Sequence, residues 1–554
     1  MSEKTATKDA IDLVRTYHNS TKHSFSAYAP GPGYLDWENQ PNPFRRYTNA
    51  PCVPLPFRKD APPVAFSQLN AGRVSVAPFD TSHLSLFLEL SMGLSAWKQT
   101  GSESWALRQN PSSGNLHPTE LYVVLWRSPG DALPPGVYHY APHAHALECR
   151  KKIDVATAAR IESQSAGALG AIGLTSIIWR EAWKYGARAL RYCQHDVGHA
   201  LAATAYAAAT LGWKITVDCH VTDDDIRQTL GLHQIPGDAE AEHPDLLALV
   251  GPQNLNDRDP SPIWQEVIAC PAPFLGDANP LSTHHVTWPQ IQSVLPALEK
   301  THPVAPYRPP RHPGSPRTAP PPDTTSTEPL AHSVIRQRRS AQRMQPDAYI
   351  SRDTLFQILA HTLPDATLTP FDAFPFQPAI QLLLFIHTVR DISPGLYALV
   401  RAQRDSTVFI ESCRSADRIW RPVEACPFSL VALTAHADVR RLAAEISCGQ
   451  SIAGNSAFSV GMIADLEGTL EREGPWAYRR LFWEAGFIGQ VLYLAAESQG
   501  INGTGIGCYF DDSVHTLLGL PPDGRWQSVY HFTVGTALPD ERLTTLPGYY
   551  HLQR

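Results

Sequence analysis

DVGHALAATAYAAATLGW at 196–213 and EAGFIGQVLYLAAESQGI at 484–501 are two versions of one segment. In both, small and apolar residues recur at helical spacing, which predicts two core helices. The likeness keeps its register downstream. Gly198, Gly212 and Gly231 are spaced as Gly486, Gly500 and Gly519, and the last of each set sits in the tripeptide LGL. A match free of insertions over that span predicts a duplicated fold.

Upstream, ELYVVLWR at 120–127 and QLLLFIH at 381–387 are apolar runs of strand length, each followed by GVYHY or GLYAL. They are read as paired central strands of the two copies. Between the copies lies THPVAPYRPPRHPGSPRTAPPPDTTSTEPL at 301–330. Proline has no amide hydrogen to give a helix or sheet, so this stretch reads as an extended, solvated linker. The organisation expected is an extension at 1–75, a first domain at 76–300, the linker at 301–330 and a second domain at 331–554. Two large units, unlike the short repeats of a solenoid, make an internal pseudo-dimer whose former interface lies inside one chain.

The chain has 554 residues, too many for one core, and two to four domains are expected. With 43% hydrophobic and 18% charged residues it can bury a sizeable core, which excludes a disordered chain. Its 46 basic and 53 acidic residues leave a net charge of −7. That balance excludes holding nucleic acid by bulk charge. Nine scattered cysteines include no CxxC pair, so neither a zinc knuckle nor a dense disulfide framework is indicated and a reducing cytoplasm fits. The amino terminus has no apolar h-region and no stretch reaches eighteen continuous apolar residues, so no signal peptide or membrane span is expected.

Three segments could carry chemistry. LRQNPSSGNLHPTELYVV at 107–124 is a polar turn directly before a buried strand, presenting hydroxyls and backbone amides. IRQRRSAQRM at 335–344 gathers Arg338, Arg339, Ser340 and Arg343, forked donors and a hydroxyl suited to a phosphate. GINGTGIGCYFDD at 500–512 offers glycines that let the backbone approach a flat ligand. Each has a bland reading as a turn, a solvated face or a tight bend.

Their order, with the EAG helix just before the glycine segment, resembles the nitroreductase family of FMN enzymes. The first half is similar to the SagB-type azoline dehydrogenases of that family through YHNSTKH at 17–23, LDWENQP at 35–41, PSSGNLHP, GVYHY and KYGARALRY at 184–192. The resemblance implies an α+β fold, with two tandem nitroreductase-like FMN-binding domains and a SagB-like extension at 1–75. Each copy departs from the family pattern in a different place. Opposite PSSGNLHP, alignment through Gly136 and Gly395 puts PFDAFPFQ at 370–377; opposite Thr504 to Gly507 stand Thr216, Val217, Asp218 and Cys219. The arginine cluster has only Arg73 near the corresponding place.

The retained pieces are complementary, since the family takes the arginine cluster and glycine segment from one subunit and the PSSG loop from the other. The resemblance therefore implies one FMN per chain. Its phosphate would lie on Arg338, Arg339, Ser340 and Arg343, its ring against Gly505, Ile506 and Gly507, with Pro111, Ser112, Ser113 and Asn115 reaching across. Lys184 and Tyr185 match the lysine-tyrosine pair that these dehydrogenases place near the flavin. A lysine with a depressed pKa or a tyrosinate could take the ring C–H proton, or Tyr185 could only orient the substrate.

The activity implied is FMN-dependent dehydrogenation or oxidation of a peptide-derived or carrier-bound azoline in natural-product biosynthesis, with a biosynthetic partner protein open. Two alternatives stand: an NAD(P)H-dependent nitro or quinone reductase, and a non-catalytic scaffold that docks a biosynthetic partner. His139, His143 and His145 read as surface histidines without a carboxylate or cysteine partner, and no metal is assigned. Asp196 and Glu484 read as helix-dipole partners, and Arg188 and Arg191 as structural or phosphate-orienting.

Overall fold

The computed structural model describes residues 3–552 except 59, 72–73, 236–238, 256–257, 316–327, 403, 405, 414–417 and 435. Arg73 and the middle of the proline-rich segment therefore lie outside the described residues. No helix among those described is long and apolar enough to cross a membrane.

Two seven-stranded antiparallel sheets carry the fold, and their strands follow one order. Across the first sheet run Cys52–Pro54, Ala146–Lys152, Gly136–Ala141, Thr119–Leu125, Gly170–Ile177, Glu242–Gly251 and Lys214–Val217. Across the second run Arg421–Pro422, Leu430–Ala432, Gly395–Leu399, Ile380–Ile386, Phe458–Asp465, Trp526–Gly535 and Asn502–Ile506. The apolar runs read from the sequence are buried along their whole length at the centre of each sheet, as strands covered on both faces must be. The register repeats too: Tyr122 pairs with Gly173 as Leu383 pairs with Gly461, and Val217 pairs with Ala248 as Gly505 pairs with Phe532. Each long strand bulges at the same place, at Asp245 and at Val529.

This register corrects one alignment. Leu125 pairs with Gly136 and Ile386 with Gly395, so the turn between the strands is two residues shorter in the second lobe. The segment facing PSSGNLHP is therefore 372–379, not 370–377. The glycine spacing mislead because turn length is free to vary while strand pairing is not.

The repeated segments are the cores of two 22-residue helices, Ala189–Thr210 and Ala477–Ser498, which cross at the centre of the molecule. A Cβ built at Gly198 would overlap the Trp483 carbonyl oxygen, and one at Gly486 the His195 carbonyl oxygen. Only glycine allows the two backbones to touch there. Reciprocal ion pairs flank the crossing, Arg191 with Asp511 at 2.8 Å and Arg479 with Asp223 at 2.9 Å. Gly231 and Gly519 close the next helices at φ of 72° and 70°, the left-handed cap that favours glycine.

Each lobe has an apolar cluster of its own, and two further clusters run across the lobes. One apolar cluster joins Leu190 and Cys193 to Leu481, Ile488 and Leu492, and another joins Val197 and Leu201 to Trp483, Phe487 and Val491. The lobes also exchange their ends. The helix Glu3–Ser20 lies on the second lobe through Arg15 and Glu467 (3.0 Å) and through His18, which hydrogen-bonds with Tyr478 and Gln527. The strand Thr544–Pro547 returns to pair with Leu94–Thr100 of the first. Of the proline-rich segment, residues 301–315 are not free in solvent. Val304 donates to the Cys219 carbonyl, Tyr307 to that of Pro375, and the His312 amide to Asp365. Proline withholds its own amide, but its neighbours keep theirs and use them on both lobes.

Candidate functional site

The three segments of interest meet in one cleft between the lobes. It consists of two adjoining cavities of about 350 and 240 Å³ that share Pro111, Ser112 and Ser340 in their walls.

The larger cavity is cationic. Arg108, Arg338, Arg339 and Lys98 line it, with His117, whose pKa burial and then Arg108 hold well below its ordinary value. Arg338 is 3% exposed and donates to the Arg108 carbonyl (3.1 Å), with its guanidinium carbon 4.9 Å from the Tyr493 ring centroid. Among the described residues its Nε and Nη1 have no partner, and neither do Nε of Arg108 or of Arg339. Burial lowers all three guanidinium pKa values, those of Arg108 and Arg339 to about 10. Asp540 also lines this cavity but is paired with Arg542 at 2.7 Å. Desolvated cations with unpartnered N–H groups mark a place for an anion supplied from outside the chain.

Arg343 is not brought into this cavity. Ser340 bridges to Gly503 and Met344 to Ala537, and the chain bends between them at Gln342 and Arg343. Gln342 faces the cavity, while Arg343 is exposed and reaches the Pro539 carbonyl at 3.4 Å. The cluster of four sequence residues thus becomes a cluster of three, with Arg108 from the first lobe as the addition. Arg108 sits in the quoted 107–124 segment, but nothing in its spacing distinguishes it from a surface arginine.

The smaller cavity is walled by both lobes. The first lends Pro111 to Gly114, Tyr185, Tyr192, Asp196 and His199; the second lends Ser340, Tyr493, Tyr530 and residues 504–508. The 3₁₀ turn Ser113–Asn115 holds Gly114, Asn115 and His117 at φ of 60°, 60° and 51°. Such backbone persists where its surroundings enforce it. Asn115 donates to the Ala106 carbonyl (2.8 Å) and meets His117 (2.8 Å), and the Ser112 hydroxyl accepts from the His117 amide (2.8 Å). Opposite, the Tyr493 hydroxyl accepts from the Gly505 amide (2.9 Å) and hydrogen-bonds with Ser340 (2.8 Å). The space beside Gly505 and Gly507 is taken: a Cβ there would overlap Tyr530 Oη and the Tyr192 ring. The glycines therefore admit two tyrosines on their Cβ side, which the sequence did not foretell.

Lys184 and Tyr185 end the helix Ile178–Tyr185 against the serine loop. A Cβ at Gly114 would lie 2.8 Å from Tyr185 Oη and 3.2 Å from Lys184 Nζ. Tyr185 lines the cavity; Lys184 stands behind it. A tyrosinate is not what this place favours. Burial, then the neighbouring Glu181, Tyr192 and Asp196, push the Tyr185 pKa well above its ordinary value, so the hydroxyl keeps its proton.

Asp196, passed over as a helix-dipole partner, is the carboxyl in the wall. It is buried beside Ser112 and Ser113, close to the buried Glu181, and Oδ2 of the one and Oε2 of the other have no partner. Burial, and for Glu181 the nearby Asp196, raise both pKa values well above the carboxylate range. A carboxylate at a mid-helix position carries no such signal in the sequence; the neighbouring acid comes from another helix.

The place related by the repeat is built differently. Thr216 to Cys219 stand for the glycine segment, with Trp264 Nε1 donating to the buried Asp218 at 2.5 Å, and Phe376, Gln377, Arg472, Glu473 and Gly474 border a cavity of about 780 Å³. Facing it, Phe374 and Phe376 pack against Phe487 and Trp483.

The three histidines are not a surface cluster. His139 is fully buried between Glu120 and Glu148, 3.0 Å from each, and these carboxylates raise its pKa to about 9 against the effect of burial. Its partners are 19 and 9 residues away in sequence, brought alongside by strand pairing. His145, also buried, hydrogen-bonds with Tyr140 and Ser85.

Residues 335–536 match the family model "Nitroreductase family". The fold of almost the whole chain is shared with the crystal structure of a "putative nitroreductase" from Anabaena variabilis ATCC 29413, at 21% identity and a TM-score of 0.66, covering 95% of this chain and 99% of that one. Shorter matches include a "putative nitroreductase" from Ralstonia eutropha JMP134 (16% identity, TM-score 0.27, 43% of this chain and 96% of that one). Another is a chain of the E. coli microcin synthetase McbBCD complex with truncated pro-MccB17 (16% identity, TM-score 0.26, 45% and 94%). No curated protein sequence matches significantly. The chain thus carries a nitroreductase-family domain at residues 335–536, within a two-lobed α+β fold that it shares from end to end with the Anabaena protein.

Proposed function

We propose that the chain is an FMN-dependent oxidoreductase that holds one FMN between its lobes and dehydrogenates or oxidises a thiazoline or oxazoline on a peptide-derived or carrier-bound substrate. The observation that carries the cofactor is the set of buried guanidinium nitrogens without partners on Arg108, Arg338 and Arg339. A phosphate monoester is dianionic and offers several acceptor oxygens, enough to meet these donors together. Arg338, Arg339, Ser340 and Arg108 would hold the phosphate. Gly505, Ile506 and Gly507 would face the ring from the second lobe, and Pro111, Ser112, Ser113 and Asn115 from the first. One site per chain is supported by the related place, where β-branched residues and Asp218 replace the glycines and Phe374 and Phe376 pack against Phe487 and Trp483.

When bound, FMN supplies a two-electron acceptor for the hydride leaving substrate carbon, and O2 or a nicotinamide would restore it. The chain supplies the rest. Lys184 Nζ, beside the serine loop at Gly114, would take the proton of the ring C–H. Tyr185, protonated, donates a hydrogen bond that orients the heterocycle. Asp196 and Glu181, kept neutral by burial, hold protons beneath the serine loop without setting a negative charge in the wall. The azoline rests on the resemblance of PSSGN and of the Lys184-Tyr185 pair, and their convergence at Gly114 supports it.

The repeated strand order, the reciprocal ion pairs and the crossing glycines support descent from a homodimer, with units at 76–300 and 331–554, an extension at 1–75 and a linker at 301–330. We place the chain in the cytoplasm, where a peptide or a carrier-bound intermediate, and a biosynthetic partner that presents it, would meet it. The test is the flavin content of the purified full chain and its bleaching without oxygen. One FMN per chain, bleached by an azoline peptide, is expected. No flavin uptake, two FMN per chain, or bleaching by NAD(P)H with none by an azoline peptide would each overturn the reading.

A further inference from the structure

We propose that Cys448 and Cys508 form a dithiol that exchanges with low-molecular-weight disulfides, closing into a bridge at the wall of the cleft. The two sulfurs, 60 residues apart in sequence, lie 2.6 Å from one another. Cys508 directly follows the glycine segment and lines the smaller cavity, so a small disulfide can reach it. Cys448 sits at φ of 54° in the turn between the helices Arg440–Ile446 and Ser451–Gly454. Gln450, from the same turn, also lines the cavity and donates to the Cys508 carbonyl at 3.0 Å. Both cysteines are partly exposed, whereas Cys149, Cys193, Cys219, Cys270 and Cys413 are buried.

The surroundings divide the roles. His23, from the amino-terminal extension, accepts the Ala29 amide on Nδ1 at 2.8 Å. Its hydrogen is therefore on Nε2, and the ring lies close enough to the Cys508 sulfur to act on it electrostatically. The hydrogen bond with Cys448, then His23 and the charge of Arg188, hold the Cys508 thiol below its ordinary range against burial. Cys448 is held above its range by its bond to Cys508 and by burial. Cys508 is thus the attacking thiolate and Cys448 the resolving thiol.

The exchange balances. Cys508 thiolate attacks one sulfur of R–S–S–R, and R–S⁻ departs with a proton from solvent. Cys448 then loses its proton and attacks the Cys508 sulfur, expelling the second R–S⁻. Two protein thiols become one disulfide, one small disulfide becomes two thiols, and two electrons pass between them. The step needs no flavin. Its product ties the glycine segment to the Cys448 turn, so the redox state is set into the wall of the cleft.

The test uses the native full chain and oxidised glutathione, followed by alkylation, digestion and mass spectrometry. Expected are a loss of two hydrogens in mass, a linked peptide joining Cys448 and Cys508, and reversal by dithiothreitol. In Cys448→Ser, glutathione should remain on Cys508 as a mixed disulfide. The exposed Cys52 serves as the internal reference for reagent access. If Cys52 is modified while no linked peptide forms and Cys508 of the variant stays unmodified, the proposal fails. A bridge between any other pair of cysteines would also overturn it.

Discussion

Arg338→Met separates an anion site from a structural arginine. The wild-type guanidinium is buried, makes one hydrogen bond to a carbonyl and one ring contact, and leaves two donor nitrogens unmet. Without ligand, the substitution removes a charged hydrogen bond worth about 1.5–3 kcal/mol and a cation–π contact of about 1–2 kcal/mol. It also relieves a desolvation cost of several kcal/mol for a buried cation with no carboxylate partner. These nearly cancel, so the apo chain should unfold within about 1 kcal/mol of wild type or be slightly more stable. Binding is different, because both unmet donors are lost to the ligand. Two charge-assisted hydrogen bonds at about 1.5 kcal/mol or more each amount to roughly 100-fold or more in Kd. Fluorescence titration of the apo chain with FMN, beside urea unfolding of the same samples, measures both quantities. An unchanged Kd would refute the anion site, and a loss of several kcal/mol in apo stability would show a structural arginine.

Three further outcomes are expected. Gly198→Ala and Gly486→Ala should each cost about 3 kcal/mol or more, because each Cβ meets backbone that cannot move aside; a loss under 1 kcal/mol in denaturant unfolding would contradict the close crossing. His139 has its folded pKa raised to about 9, above its unfolded value. Its contribution is therefore full below about pH 6.5 and lost as pH rises through 9, amounting to roughly 3 kcal/mol. His139→Gln should flatten that part of the stability profile, and an equal slope in the variant would refute the carboxylate bridge. Tyr185→Phe should lower kcat/KM for an azoline substrate about 10- to 100-fold with flavin content intact, and Lys184→Met should lower kcat further; loss of flavin in either would instead make the pair part of the cofactor wall.

Much of the fold was legible because its two lobes repeat the same strand order and the same constraints. Gly198 and Gly486 announce a close backbone approach, and Gly231 and Gly519 left-handed caps, since few residues besides glycine satisfy either demand. The apolar runs at 120–127 and 381–387 could be read as central strands because a strand covered on both faces has no polar side to show. The serine loop, the arginine cluster and the glycine segment were likewise visible as local chemistry, but Arg343 was not separable from Arg339. Which residues of the bend at Gln342 and Arg343 meet the cavity depends on the bridges of Ser340 to Gly503 and of Met344 to Ala537, far away in the chain.

Local chemistry, by its nature, is written along the chain: helix and strand periods, turn residues and the unlike motifs of the two halves are all present in a single sequence. The partners of a buried charge are not. His139 took two carboxylates, Asp196 a place beneath the serine loop near Glu181, and Arg108 a share in a cationic cavity because sheets and helices set distant residues side by side. Burial then acts on each group according to those neighbours, raising one carboxyl and lowering another, and that sum exists only in the folded molecule.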